Sequence, residues 1–222
     1  MNVGQQGLAA TGTASRGGRP SREAARQLGE RILEAATELM LEQGYGATSI
    51  EAVAARAGVS KRTFYARYPD KAALVQAVVE RVVDSARPPA GSAFPPDATL
   101  ADALRAFGSQ TLRAALSPRI LALYRLIIGE SHRFPDLLRA VAMSGARAKT
   151  VTQLVERMRA ELPQLDQPQA EFAAQQFLQM LVSLPQLRAM GIGEPMPPSE
   201  CDHWVDQTVH LLLEGLKDRA PG

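Results

Sequence analysis

Residues 46–71, Gly46-Ala-Thr-Ser-Ile-Glu-Ala-Val-Ala-Ala-Arg-Ala-Gly-Val-Ser-Lys-Arg-Thr-Phe-Tyr-Ala-Arg-Tyr-Pro-Asp-Lys71, leave few folds open to this chain. Ile50, Val53, Ala54 and Ala57 fall at helical spacing, and Gly58 interrupts the run before Ser60 starts another. The spacing predicts two short helices joined by a tight turn. Thr48-Ser-Ile-Glu51 reads as a capping box, with Thr48 accepting from the third amide while Glu51 reaches back. Ser60 reads as the cap of a second helix that ends near Arg67. Phe64 then faces inward, and Lys61, Arg62, Thr63, Tyr65 and Arg67 share an outward face. A helix with cations at its leading end, set across a turn from a supporting helix, is the build of a helix-turn-helix that enters the DNA major groove. There Arg and Lys can donate to guanine O6 and N7. A merely solvated basic helix face would show the same cations, but not the caps and the glycine turn around them.

The remaining periodicity is helical as well. A helix is expected over about residues 22–43, with Ile32, Ala36, Leu39 and Met40 on one stripe and Gly44 as its left-handed cap. Pro69 favours an extended Tyr68, and a helix from Asp70 to about Ala86 buries Leu74, Val75, Val78, Val79 and Val82. Residues 87–98 contain four prolines and cannot be helical throughout, so the domain boundary is placed there. Further helices are expected over about 99–116, 118–132, 135–161, 169–190 and 200–219. No strand pattern and no fixed repeat is visible. The expectation is an all-α chain of about nine helices. It has a disordered basic arm over 1–21, a DNA-binding domain over 22–70, a connecting helix over 71–86 and a larger domain over 87–222. Residues 1–22 hold Arg16, Arg19 and Arg22 and no acid. Such an arm can add nonspecific contacts to phosphate.

The N-terminal segment resembles the DNA-binding motif of TetR-family transcriptional regulators. The resemblance rests on Ala54-Ala-Arg-Ala-Gly-Val-Ser60, on Thr63-Phe-Tyr65, and on the aromatic Tyr68 followed by Lys71. It covers residues 26–71. A weaker one extends over 120–219, through Arg125-Leu-Ile-Ile-Gly-Glu-Ser-His-Arg-Phe-Pro-Asp-Leu137 and Gln175-Gln-Phe-Leu178. It implies that Lys61, Arg62, Thr63 and Tyr65 contact bases or nearby phosphates. Arg67, Tyr68 and Lys71 would contact mostly the DNA backbone, with Thr48 and Ser60 completing the set. Two positions depart from the family pattern: Arg62, where many relatives carry a small residue, and Ala66, where a polar or aromatic side chain is frequent.

Composition narrows the alternatives. With 45% hydrophobic and 22% charged residues the chain reads as an ordinary soluble protein, and a net charge of +2 provides no global basic field. Cys201 stands alone, which permits no intrachain disulfide and suits a reducing cytoplasm. No signal peptide is expected, and the charge-free stretch from Phe172 to Leu187 is too short for a membrane span. The three histidines and the cysteine show no metal spacing; His203 and His210 with Asp206 read as a solvated helix face. No phosphate loop or nucleophile elbow occurs, so no catalytic residue, metal or cofactor is expected.

The second domain is expected to form a homodimer and to enclose an effector pocket. At about 100° per residue, Trp204, Val205, Thr208, Val209, Leu211, Leu212, Leu213 and Leu216 cover more than half of the last helix. That is more than one domain's core needs. Leu178, Leu181, Val205, Val209, Leu212 and Leu216 are the expected interface, matching the last-two-helix dimer that the resemblance implies. Phe107, Leu112, Leu123, Leu126, His132, Met143, Arg147, Phe177 and Met180 are the expected pocket lining, although for each one taken singly a place in the core or on the surface is the stronger reading. The functional expectation is a dimeric repressor that binds double-stranded operator DNA and leaves it when a small, mostly apolar effector binds. An all-α ligand-binding or interaction protein without specific DNA binding is the alternative.

Overall fold

The computed structural model describes residues 22–86 and 98–217, and all regular structure among them is helical. The expected arm over 1–21 and the proline-rich residues 87–97 lie outside the described residues. Among the described residues ten helices follow one another: α1 (Arg22–Ala47), α2 (Ile50–Arg56), α3 (Lys61–Tyr65), α4 (Lys71–Ala86), α5 (Leu100–Ala115), α6 (Pro118–Ser131), α7 (Pro135–Met143), α8 (Ala146–Glu161), α9 (Gln167–Ala189) and α10 (Pro198–Lys217). The all-α class is as the sequence predicts. The run 135–161, expected as one helix, is two. Gly145 takes a left-handed conformation (φ 70°) that ends α7 and caps α8, and an Ala or Leu there would be strained.

Two apolar cores organise the chain. The first gathers Ile32, Leu39 and Met40 of α1, Val53 of α2, Phe64 of α3 and the valine ridge Val75, Val78, Val79 and Val82 of α4. It also takes in Leu123 of α6 and Leu137 and Ala140 of α7. The N-terminal helices therefore bury their apolar faces partly against the rest of the chain. The second core joins α5, α8, α9 and α10 around Phe107, Leu154, Met158, Phe177, Leu181 and Val209. Burying one such side chain contributes about 1.5–3 kcal/mol.

Helix α9 contains Pro185, which has no N–H to offer the carbonyl four residues earlier. The Trp204 indole of α10 supplies the missing donor, its Nε1 lying 3.1 Å from the Leu181 carbonyl and 3.2 Å from that of Met180. One side chain thereby satisfies the broken ladder and fixes α10 against α9.

The expected dimer residues need correction. Leu178, Leu181, Val205, Val209, Leu212 and Leu216 are all buried inside this single chain, none more than 7% exposed. The wide apolar arc of α10 splits in two. Its inner half is this core, and its outer part is Leu211, 62% exposed, with half-buried Trp204 beside it. Val209→Asp is accordingly expected to unfold the chain. An unpaired buried charge costs several kcal/mol, against a total stability of about 5–15 kcal/mol. Leu211→Asp should leave the fold intact, and thermal unfolding followed by circular dichroism separates the two.

Candidate functional site

The turn between α2 and α3 is built by Gly58 at φ 65°, with the Val59 amide donating back to the Ala54 carbonyl at 2.9 Å. Ser60 caps α3 as the sequence predicts, its Oγ accepting from the Thr63 amide at 3.1 Å and lying 2.8 Å from Thr63 Oγ1. The capping box on α2 needs correction. Ser49 is the cap, accepting from the Ala52 amide at 3.1 Å. Thr48 is 2% exposed and donates its hydroxyl to the Gly44 carbonyl at 2.8 Å. Its side chain closes the α1–α2 corner and is not presented to solvent. Glu51 instead meets Lys61 at 2.9 Å, across the turn, and that hydrogen bond holds its carboxyl below the usual range.

Helix α3 presents Lys61, Arg62 and Tyr65 to solvent together. Tyr65 is 47% exposed, with its ring edge-on to buried Phe64 at 5.7 Å. The Arg62 guanidinium meets no acceptor among the described residues. Three other expected contact residues are already engaged. Arg67 Nη1 donates to the Ala25 carbonyl of α1 at 2.9 Å. Tyr68 is buried and packs its ring 5.8 Å from Phe64. Lys71 turns inward: its Nζ donates to the Tyr45 carbonyl at 2.5 Å and sits 4.0 Å over the Tyr45 ring. Burial pushes the Lys71 ammonium down from its ordinary value, and the nearby Glu130 carboxylate opposes that shift. The Tyr45 ring in turn meets Phe134 edge-on at 5.1 Å. The end of α6 and the start of α7 thus seal the base of the helix-turn-helix.

Ion pairs make a second tie between the same parts. Glu34 of α1 faces both Arg81 of α4 and Arg119 of α6. Burial raises its carboxyl, but the two guanidiniums outweigh that and hold it below the usual range. Lys149 of α8 reaches Glu80 at 3.2 Å and Asp84 at 3.6 Å on α4.

The expected pocket residues are not brought together. Phe177 is fully buried in the second core with Leu112, while Leu123 and Leu126 belong to the first. His132, Met143 and Arg147 are exposed, and Arg147 donates to the Gln175 carbonyl at 3.4 Å. Met180 lies in an outward groove with Leu184, Trp204 and Leu211. Met143 borders a separate surface cavity with Tyr45, Lys71 and Asp136. Phe107 lines a cavity of about 160 Å³, with Val83, Ala86, Thr111, Ala114, Ala115, Ile120, Thr150 and Gln153. Beside it, a more open cavity of about 480 Å³ is lined by Val82, Ser85, Gln110, Arg113, Ser117 and Arg119, and shares Ala86, Ala114 and Ile120. The signal in the sequence was small residues, Ala86, Thr111, Ala114 and Ala115, where a packed core would use large ones. Among the described residues no group of three or more His, Cys, Asp or Glu is placed to hold a metal, and no helix is long and apolar enough to cross a membrane.

A capped two-helix turn with an exposed cationic helix, mounted on a larger helical body, defines a helix-turn-helix DNA-binding regulator. Residues 32–78 match the bacterial regulatory proteins of the tetR family, and residues 102–215 match the AefR-like transcriptional repressor C-terminal domain. The chain belongs to the TetR family of transcriptional regulators, with a DNA-binding and a C-terminal ligand-binding domain. Among solved structures, the flavonoid-responsive regulator FrrA is 31% identical, with 86% of this chain and 97% of that one covered and a TM-score of 0.67. A Mesorhizobium loti protein assigned to the TetR family is 25% identical, covering 88% and 98%, with a TM-score of 0.66. A Pseudomonas aeruginosa PAO1 regulator shares the fold, at 23% identity, 90% and 94% coverage and a TM-score of 0.64. No curated protein matches the chain.

Removing the Lys71 ammonium leaves the Tyr45 carbonyl only the Thr48 amide, at 3.3 Å, and takes a nearby cation from the Glu130 carboxylate. Lys71→Met is expected to cost about 1–3 kcal/mol. That corresponds to a melting temperature lower by roughly 2–4 °C per kcal/mol for a chain of this length, measured by differential scanning calorimetry.

Proposed function

We propose that this chain is a dimeric, sequence-specific repressor of the cytoplasm, released from double-stranded operator DNA by a small effector. Residues 22–70 would bind DNA, α4 would connect, and residues 87–222 would dimerise and bind the effector. The observation that carries DNA binding is the joint exposure of Lys61, Arg62 and Tyr65 on α3, with Arg62 unopposed by any acid among the described residues. Lys61, Arg62, Thr63 and Tyr65 are the residues proposed to face the groove. Thr48, Tyr68 and Lys71 support them from beneath, Ser60 caps the helix, and Arg67 fastens its end to α1. Arg62→Ala should lose about 1–3 kcal/mol per half-site if the guanidinium reads a guanine bidentately, with relaxed preference at that base pair. Base-by-base operator scanning measures this. Unchanged base preference in the variant removes Arg62 from direct readout.

The dimer is proposed on the outer face of α9 and α10. Phe172, Leu184, Leu187 and Leu211 are between 36% and 62% exposed there. Leu184, Trp204 and Leu211 also share one groove, so the exposed apolar surface is continuous across both helices. A patch of this kind marks an interaction surface, and a two-fold pairing would place two copies of α3 on one operator. Leu211→Asp, which leaves the core untouched, should give a folded monomer with operator binding lost. Sedimentation equilibrium checks it; a monomeric wild type at micromolar concentration overturns the dimer.

The effector site is proposed at the paired cavities between α4, α5, α6 and α8, which abut the connecting helix. FrrA is by its name flavonoid-responsive. The mostly apolar walls here suit a ring-bearing compound, with an expected coupling of about 1–3 kcal/mol.

A further inference from the structure

We propose that the effector is an amphipathic monoanion, an apolar ring or short chain bearing a carboxylate, and that its carboxylate takes Arg119 from Glu34. This rests on the effector-responsive reading above and specifies the ligand and the switch. The two adjoining cavities differ in chemistry. The inner one, about 160 Å³, is walled by Phe107, Ile120 and Val83. Its volume is close to that of an apolar cavity of about 150 Å³ that admits benzene. The outer one, about 480 Å³, adds Arg113 and Arg119, and no acidic side chain lines either. An apolar end wall followed by two guanidiniums is the complement of an aryl- or alkyl-carboxylate.

Arg119 is also poised for exchange. Both Glu34 oxygens bond the same guanidinium nitrogen, Nη2, at 3.1 and 3.2 Å. Its Nε is buried without a hydrogen-bond partner. Guanidinium holds carboxylate best through two parallel N–H groups. A ligand carboxylate can therefore gain the fork geometry that Glu34 does not use. Glu34 is not stranded by the loss, because Arg81 still holds it. The ion pair between α1 and α6 is broken while their apolar packing stays, and α1 is the helix on which the helix-turn-helix is mounted.

The test is calorimetric titration of the full chain with 3-phenylpropanoate and its neutral isostere 3-phenylpropanamide, paired with operator affinity. The acid is expected to bind about tenfold tighter or more, the fold-change of one charge-assisted hydrogen bond, and to weaken operator binding. Arg119→Met should erase the preference for the acid. Because that variant also alters α1–α6 packing, Glu34→Gln gives an independent reading: by removing the competitor it should tighten the acid. Equal binding of acid and amide, failure of both to bind, or weaker acid binding by Glu34→Gln each overturns the proposal. Operator binding by the wild type without any probe tests the DNA-binding reading on its own, so the two failures are distinguishable.

Discussion

Helix α4 carries more apolar surface than a three-helix DNA-binding unit can cover, and the architecture follows from that excess. Its valines run along one ridge and meet α1 on one side and α6 and α7 on the other. Leu123, Leu137 and Ala140 enter the same core as Phe64, the residue that fixes the inner face of α3. Exposing that ridge would cost about 25 cal/mol per Å² of apolar surface. The recognition helix therefore cannot shift relative to α1 without disturbing the contacts of α6 and α7. The packing thus couples the position of α3 to that of α6 and α7.

Polar contacts refine what the apolar core sets. Lys71, Tyr45, Glu130 and Phe134 close one junction, and Glu34 with Arg81 and Arg119 closes another. The first is half-buried and binds an ammonium to a carbonyl. The second is nearer solvent and holds one carboxylate between two guanidiniums. A carboxylate with two partners can release one without being left bare. That makes the second junction the easier of the two to rearrange.

On helices α9 and α10 one apolar arc divides between core and surface. The inner half of α10 completes a core with α5, and Trp204 bridges the gap that Pro185 leaves in α9. Leu184 and Leu211 point the other way. Residue type alone does not distinguish these halves, since leucine and valine occur in both. Only the direction from which α5 approaches decides which half is inside.

The sequence by itself determined the all-α class, the turn at Gly58, the cap at Ser60, the inward Phe64 and the exposed cations of α3. Each of these is a local consequence of spacing, φ preference or side-chain reach within one or two turns. What only the tertiary structure decided involves residues with two available roles. Lys71 and Arg67 could face DNA or the chain's own carbonyls, and the chain's carbonyls hold them. Thr48 and Ser49 could each cap α2, and the break at Gly44 draws Thr48 back to α1. The cavity at Phe107 left only a run of small residues as its trace in the sequence, because a void is the sum of what several helices fail to fill. A long cation, a hydroxyl or a small side chain takes its role from whichever partner the fold brings within reach, and no local pattern encodes that partner.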